Sequence, residues 1–261
     1  MGVKPIISSY NPHFGEETPL VGEHGSGTIF FTHCNLACVY CQNYDISQLG
    51  RGREVSDEEL AEMMIKLQKI KCHNINFVSP TPYVSIILKS LEIAVQKGLY
   101  IPLVYNTNAY DSLESLKLLD GIIDIYMPDT KYADSQMAQK YSMVPNYFSV
   151  MKKALKEMYQ QVGDLEVNEV GVAKRGLLIR HLVLPNNLAG SKKIFEFIKK
   201  EISPNTFINI MDQYRPHFKA FKYKELSRYI TQEEYKQVVN LAGEAGLKRI
   251  YPRENKIKFF I

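Results

Sequence analysis

Apolar, β-branched runs recur along the chain, and between them apolar residues return at three- and four-residue spacing. The runs at residues 27–33, 74–79, 102–106, 122–127, 176–184 and 206–211 read as strands. The intervening pattern predicts helices over 56–71, 83–97, 113–119, 135–141, 146–161, 191–201 and 232–245. The first of these opens with Ser56-Asp57-Glu58-Glu59, a capping box in which a hydroxyl and a carboxylate satisfy each other's backbone N–H groups. Strands alternating with helices predict βα units and a parallel sheet. Six strands are fewer than a closed barrel needs, so an open partial barrel or a doubly wound sheet is expected. Either arrangement places ligands at the carboxyl ends of the strands.

The chain has 261 residues, 45% hydrophobic and 23% charged, enough apolar content for a real core. No Pro/Gly/Ser-rich tract, low-complexity run or internal period divides it, which favours a single domain over 26–261. Residues 1–25, rich in Pro and Gly, are expected to wrap the outside of that domain. Glycine-punctuated residues 163–175 read as a loop entering the fifth strand. A net charge of +4, from 32 basic and 28 acidic residues, permits an anionic ligand but is not a nucleic-acid signature. Residues 219–224, lysines interleaved with aromatics, fit an amphipathic surface segment as well as they fit RNA. With no membrane-length apolar run and no signal-peptide core near the start, a cytoplasmic location is expected, where thiols stay reduced.

That expectation changes how the cysteines read. Cys34, Cys38 and Cys41 lie within eight residues immediately after the first strand, spaced C-x3-C-x2-C. They are too close for a disulfide framework and read as metal ligands. Three thiolates on one loop can wrap three corners of a [4Fe–4S] cluster and leave one iron open to a ligand. A zinc site completed by His24, His33 or His73 is the rival, and three small buried hydrophobes the blandest alternative. Cys72, at a helix end, is not assigned to the cluster.

With Tyr40 between the second and third cysteines, the segment resembles the C-x3-C-x-aromatic-C signature of the radical S-adenosylmethionine (radical SAM) superfamily. Residues 25–31, 41–44 and 180–185 are similar to those of the group related to pyruvate formate-lyase activating enzymes. The resemblance implies a partial (β/α)6 barrel. It also implies a [4Fe–4S] cluster that takes an electron from a reductant such as flavodoxin or ferredoxin and cleaves S-adenosylmethionine to methionine and a 5′-deoxyadenosyl radical. Hydrogen would then be taken from a backbone glycine of a partner enzyme, or from a peptide or small metabolite. A non-catalytic zinc or iron–sulfur binding module is the alternative of a different class.

Polar residues at the carboxyl ends of barrel strands supply the remaining candidates. Ser79-Pro80-Thr81-Pro82 stands where the family usually carries a Gly-Gly-Glu-type segment that holds the methionine ammonium. Its carbonyls can still accept, and Thr81 is the candidate there; a rigid loop is the alternative. Asn106-Thr107-Asn108 resembles an Asp-Thr-Asn-Gly stretch of the activating enzymes, with Asn106 in place of the acid, or else begins a turn. Asp129 and Lys131 resemble a cofactor-side Asp-x-Lys pair, and otherwise form a helix-entry Asp with a solvated Lys. Arg180 and His181 point to opposite faces of their strand. By resemblance Arg180 meets the cofactor carboxylate, although an internal salt bridge to Asp129 or Asp212 would also satisfy it, while His181 fits a packing role. Gln213 stands near the position of a cofactor-contacting histidine of the activating enzymes. Tyr40 is placed to stack on adenine or to pack in the core.

Overall fold

The computed structural model describes residues 4–252. Its first half comprises β1 (Ile6–His13), α1 (Thr18–Val21), β2 (Ser26–Phe31), α2 (Tyr44–Ser47), β3 (Arg53–Glu54), α3 (Asp57–Lys69), β4 (Ile75–Val78), α4 (Val84–Gln96), β5 (Leu103–Thr107) and α5 (Leu113–Lys117). There follow β6 (Ile125–Thr130), α6 (Ser135–Ser142), α7 (Tyr147–Val162), β7 (Glu166–Val167), β8 (Ala173–Leu182), α8 (Ser191–Glu201), β9 (Phe207–Met211), α9 (Gln232–Glu244) and β10 (Arg249–Pro252).

The strands form one sheet in the order β10-β9-β8-β6-β5-β4-β2-β1-β3, with β7 paired to β8. Every pairing from β2 through β10 along that path is parallel, and the ends do not meet. The architecture is therefore an open, partial α/β barrel of parallel strands. All six expected strands are present, and β10 adds a seventh parallel strand at the edge.

Period-two alternation separates two cores. Leu177, Ile179 and His181 of β8 face the helices, whereas Leu178 joins Leu20, Val104, Ile125 and Met127 in a smaller cluster inside the barrel. Arg180 and Leu182 continue that inner row toward the carboxyl rim. The Ser56–Glu59 capping box forms as expected, and a second, Thr231–Glu234, starts α9.

The structure departs from the sequence pattern at three places. Residues 6–13 join the sheet as β1, antiparallel to β2, and residues 16–20 then turn inward, so that Leu20 is fully buried inside the barrel. Residues 163–175 are not all loop: β7 and the start of β8 pair there across a bulge. The two exposed residues of β7 carry no alternation that a pattern could detect. The fourth expected strand is shifted to Ile125–Thr130, because Asp129 and Thr130 extend it past the apolar run. No helix among the described residues is long and apolar enough to cross a membrane.

Candidate active site

The chain leaves β2 through His33, whose φ of 55° turns it sharply into the cysteine loop. That loop is tied down from both sides. Ala37 and Val39 donate backbone N–H bonds to Ser142 and Tyr141 at the end of α6 (3.0 and 2.8 Å), and Lys219 N–H donates to the Val39 carbonyl (2.8 Å). Gln48 Nε2 donates to the Cys38 carbonyl at 3.0 Å.

Cys34, Cys38 and Cys41 line one cavity of about 470 Å3 at the carboxyl rim. Each sulfur has a hydrogen-bond partner: Asn108 Nδ2 donates to Cys34 (3.3 Å), Ser142 Oγ donates to Cys38 (3.0 Å), and Ser47 Oγ lies 3.2 Å from Cys41. Burial raises the Cys34 and Cys38 thiols, Cys38 up to about 12 even with the Lys131 ammonium nearby, so these sulfurs are protonated until a metal displaces the proton.

The cavity also holds a charged cluster. The pairing of Asp129 with Arg180 across β6 and β8 sets the two side by side, with Arg180 Nε donating to Asp129 Oδ1 at 2.7 Å. Lys131 Nζ donates to the other carboxylate oxygen at 2.9 Å. Arg180 also donates to Asn106 Oδ1 (2.8 Å) and to Glu16 Oε2 (3.3 Å), with Glu17 at 4.0 Å. Burial alone would raise the Asp129 carboxyl, but Arg180 and Lys131 outweigh it and hold it below the usual range. Desolvation would lower Lys131 and Arg180, but Asp129 together with Cys38 at Lys131, and with Glu16 and Glu17 at Arg180, raises both.

Of the residues singled out from sequence, Cys34, Cys38, Tyr40, Cys41, Asn106, Asp129, Lys131, Arg180 and Gln213 all line this cavity. Thr81 does not. It donates to Asp111 at 2.8 Å in a buried cluster with Thr107 and Tyr105, so the second-strand contribution to the wall comes from Val78 and Ser79 instead. Tyr40 turns its hydroxyl away to Tyr132 (2.6 Å) and sets its ring edge-on to Tyr214 at 5.7 Å. His181 is buried between Thr130 and Ser191 and packs against Phe195, as a core residue does. Glu16, Glu17, Ser47 and Ser142 have no local signature in the sequence, because distant segments bring them in. Asn108 lies in the Asn106-Thr107-Asn108 stretch, whose turn-forming character masks its contact with sulfur.

Two of the three histidines of the zinc alternative lie away from the cysteines. His24 and His73 stack on each other at 5.3 Å and precede β2 and β4, so they sit on the amino rim, about 20 Å from the cysteines by the rise of a six-residue strand. His33 is exposed, with Nδ1 2.6 Å from Thr32 Oγ1. Among the described residues, no three His, Cys, Asp or Glu side chains are arranged around a single metal ion. Cys72 is buried beside Gly27, away from the cavity. A cubane takes one thiolate per iron, and three sulfurs along one cavity wall, each with a hydrogen-bond partner, fit that demand.

An open parallel barrel with a three-thiol loop on its carboxyl rim, facing buried ion pairs, defines a cofactor-binding α/β barrel of the kind that does chemistry at that rim. The chain belongs to the radical SAM superfamily, whose model matches residues 28–174. An uncharacterized protein of Methanocaldococcus jannaschii, MJ0674, is 36% identical over 249 residues, covering 92% of this chain and 67% of that protein. Among solved structures, anSMEcpe with bound AdoMet and Cp18Cys peptide is similar with a TM-score of 0.57 at 14% identity, covering 85% of this chain and 62% of that one. A domain of pyruvate-formate lyase-activating enzyme from Bacteroides vulgatus ATCC 8482 matches with a TM-score of 0.47 at 16% identity, covering 67% of this chain and 94% of that one. Enzymes of this superfamily use a [4Fe–4S] cluster and S-adenosylmethionine.

Proposed function

We propose that this protein is a radical enzyme that cleaves S-adenosylmethionine reductively and takes a hydrogen atom from its substrate. The supporting observation is the convergence of Cys34, Cys38 and Cys41 on one cavity with the Arg180–Asp129–Lys131 cluster. Cys34, Cys38 and Cys41 would hold a [4Fe–4S] cluster, which when bound supplies the electron that breaks the sulfonium bond into methionine and a 5′-deoxyadenosyl radical.

The chain's own charges suit that cofactor. Arg180 and Lys131 face three carboxylates, Asp129, Glu16 and Glu17, so the cluster carries one formal negative charge. S-adenosylmethionine, with an ammonium, a sulfonium and a carboxylate, carries one net positive charge. Arg180 and Lys131 offer donors to the carboxylate and a ribose, Asn106 adds an amide, and the Ser79 segment offers carbonyls to the ammonium. Leu36, Leu182 and Met211 in the cavity wall would shield part of the space around a reactive radical from water.

The cavity's volume suits the cofactor. At about 470 Å3 it lies toward the lower end of the range of roughly 300–1,000 Å3 that holds one drug-sized ligand. The cofactor is a ligand of that size, and a substrate such as a peptide or a glycine of a partner enzyme would approach it from the open rim. Anaerobic incubation of reconstituted protein with dithionite and S-adenosylmethionine should release 5′-deoxyadenosine and methionine in equal amounts. No release from protein carrying a full cluster would contradict the proposal.

A further inference from the structure

One set of buried hydroxyls has no part in holding the cofactor. Tyr40 OH lies 2.6 Å from Tyr132 OH, Tyr132 OH lies 2.9 Å from Ser142 Oγ, and Ser142 Oγ donates to Cys38 Sγ at 3.0 Å. Each hydroxyl carries one proton. Ser142 gives its proton to sulfur, so it must accept from Tyr132. Tyr132 in turn gives its proton to Ser142 and accepts from Tyr40. The direction of the chain is thereby fixed: Tyr40 to Tyr132 to Ser142 to Cys38.

Its two ends lie on one loop, two residues apart. The middle members come from the segment after β6 and from the last residue of α6, whose backbone is bonded to that same loop. Tyr132 and Ser142 are fully buried and Tyr40 is 5% exposed, so bulk water does not compete for these bonds. Tyr132 is held edge-on against Tyr147 at 5.7 Å, and Tyr147 OH lies within 2.9 Å of the Asn108 and Asp129 carbonyls. The geometry is rigid, and hydrogen bonds in series polarise one another in a low dielectric.

We infer that this relay sets the reduction potential of the cluster that Cys38 ligates, with Tyr40, Tyr132 and Ser142 acting as positioning residues. The inference rests on the cluster assignment made above. Reduction adds one negative charge, which spreads onto the thiolate sulfurs. A donor aimed at Cys38 stabilises the reduced state more than the oxidised one and raises the potential. Tyr40, the aromatic residue of the cysteine motif, thus acts on the cluster through two partners and back onto its own loop.

The test is a potentiometric titration, followed by electron paramagnetic resonance, of anaerobically reconstituted wild type, Ser142→Ala, Tyr132→Phe, Tyr40→Phe and the double variant Tyr132→Phe/Tyr40→Phe. Iron and sulfide content should match wild type in every case. The midpoint should move to more negative values, most for Ser142→Ala, less for Tyr132→Phe and least for Tyr40→Phe. The double variant should coincide with Tyr132→Phe, because losing the middle hydroxyl disconnects Tyr40. Wild-type potentials in variants with full clusters would overturn the relay and leave the function untouched. Additive shifts in the double variant would also overturn it, since they would mean that two tyrosines pack independently. A wild type that takes up no cluster would overturn both the relay and the proposed function.

Discussion

Arg180 and Asp129 meet through Nε and Oδ1 at 2.7 Å because the parallel register of β6 and β8 places them opposite each other on the inner face of the barrel. Two descriptions that the sequence left side by side, an internal salt bridge and a cofactor contact, are compatible here. The Nε edge serves Asp129, and the terminal nitrogens reach Asn106 at 2.8 Å and Glu16 at a longer 3.3 Å. Lysine has no planar fork and cannot satisfy these directions together. Arg180→Lys should lower S-adenosylmethionine affinity about tenfold, or about 1.4 kcal/mol, while iron content is retained. Calorimetric titration of the reconstituted protein measures this, and unchanged affinity would remove Arg180 from the cofactor site.

Asp129 bears on stability more than on binding. It is the shared partner of two largely buried cations, Lys131 and Arg180 at 13% and 14% side-chain exposure, and its loss leaves Lys131 without an ion pair among the described residues and Arg180 with Glu16 and the more distant Glu17. Removing one member of a buried ion pair costs about 3 kcal/mol or more. Asp129→Asn should lose stability on that scale in urea unfolding, and a loss under about 0.5 kcal/mol, as for an exposed pair, would contradict it.

Glu16 makes a charge-specific prediction. Its side chain is 9% exposed and lines the cavity, contributing to the net negative charge there. Glu16→Gln should weaken S-adenosylmethionine binding about tenfold, or about 1.4 kcal/mol, but leave S-adenosylhomocysteine, which lacks the sulfonium charge, within about twofold. Equal losses for both ligands would mean that Glu16 acts by shape and not by charge.

Much of the barrel is written in period-two and period-3.6 patterns, so the six inner strands and the cysteine loop after β2 are visible in the chain. The β1 strand is not, because its residues are mostly exposed or half-buried and show no clean alternation. The site divides along the same line. Arg180 is legible as a polar interruption of an apolar strand, and Asp129 and Lys131 as a polar pair at the end of one. Glu16 reaches Arg180 across 164 residues, and Ser142 reaches Cys38 across 104, with nothing local to mark either contact. The position of Thr81 after the second expected strand suggests a place in the site, yet the short 3-10 turn at Thr81–Tyr83 hands it to Asp111.

His181 provides a pH test away from the cluster. Burial lowers its folded pKa to about 4, against about 6.5 in an unfolded chain. Between those values the unfolded state takes up a proton that the folded state refuses. The stabilisation is therefore complete above pH 6.5 and declines as pH falls toward 4, by on the order of 3 kcal/mol. Relative to His181→Gln, which has no such titration, the wild type should lose stability over that window in denaturant melts. Parallel pH profiles for the two proteins would contradict the buried, neutral imidazole.

The most direct test of the central claim is electron paramagnetic resonance of the anaerobically reconstituted, dithionite-reduced protein, recorded with and without S-adenosylmethionine. A cluster held by Cys34, Cys38 and Cys41 alone has an open iron, so the reduced signal should change shape when the cofactor binds, and Cys38→Ala should abolish it. A reduced cluster signal indifferent to S-adenosylmethionine, or protein that binds zinc in place of a cluster, would contradict the assignment of this cavity to radical chemistry.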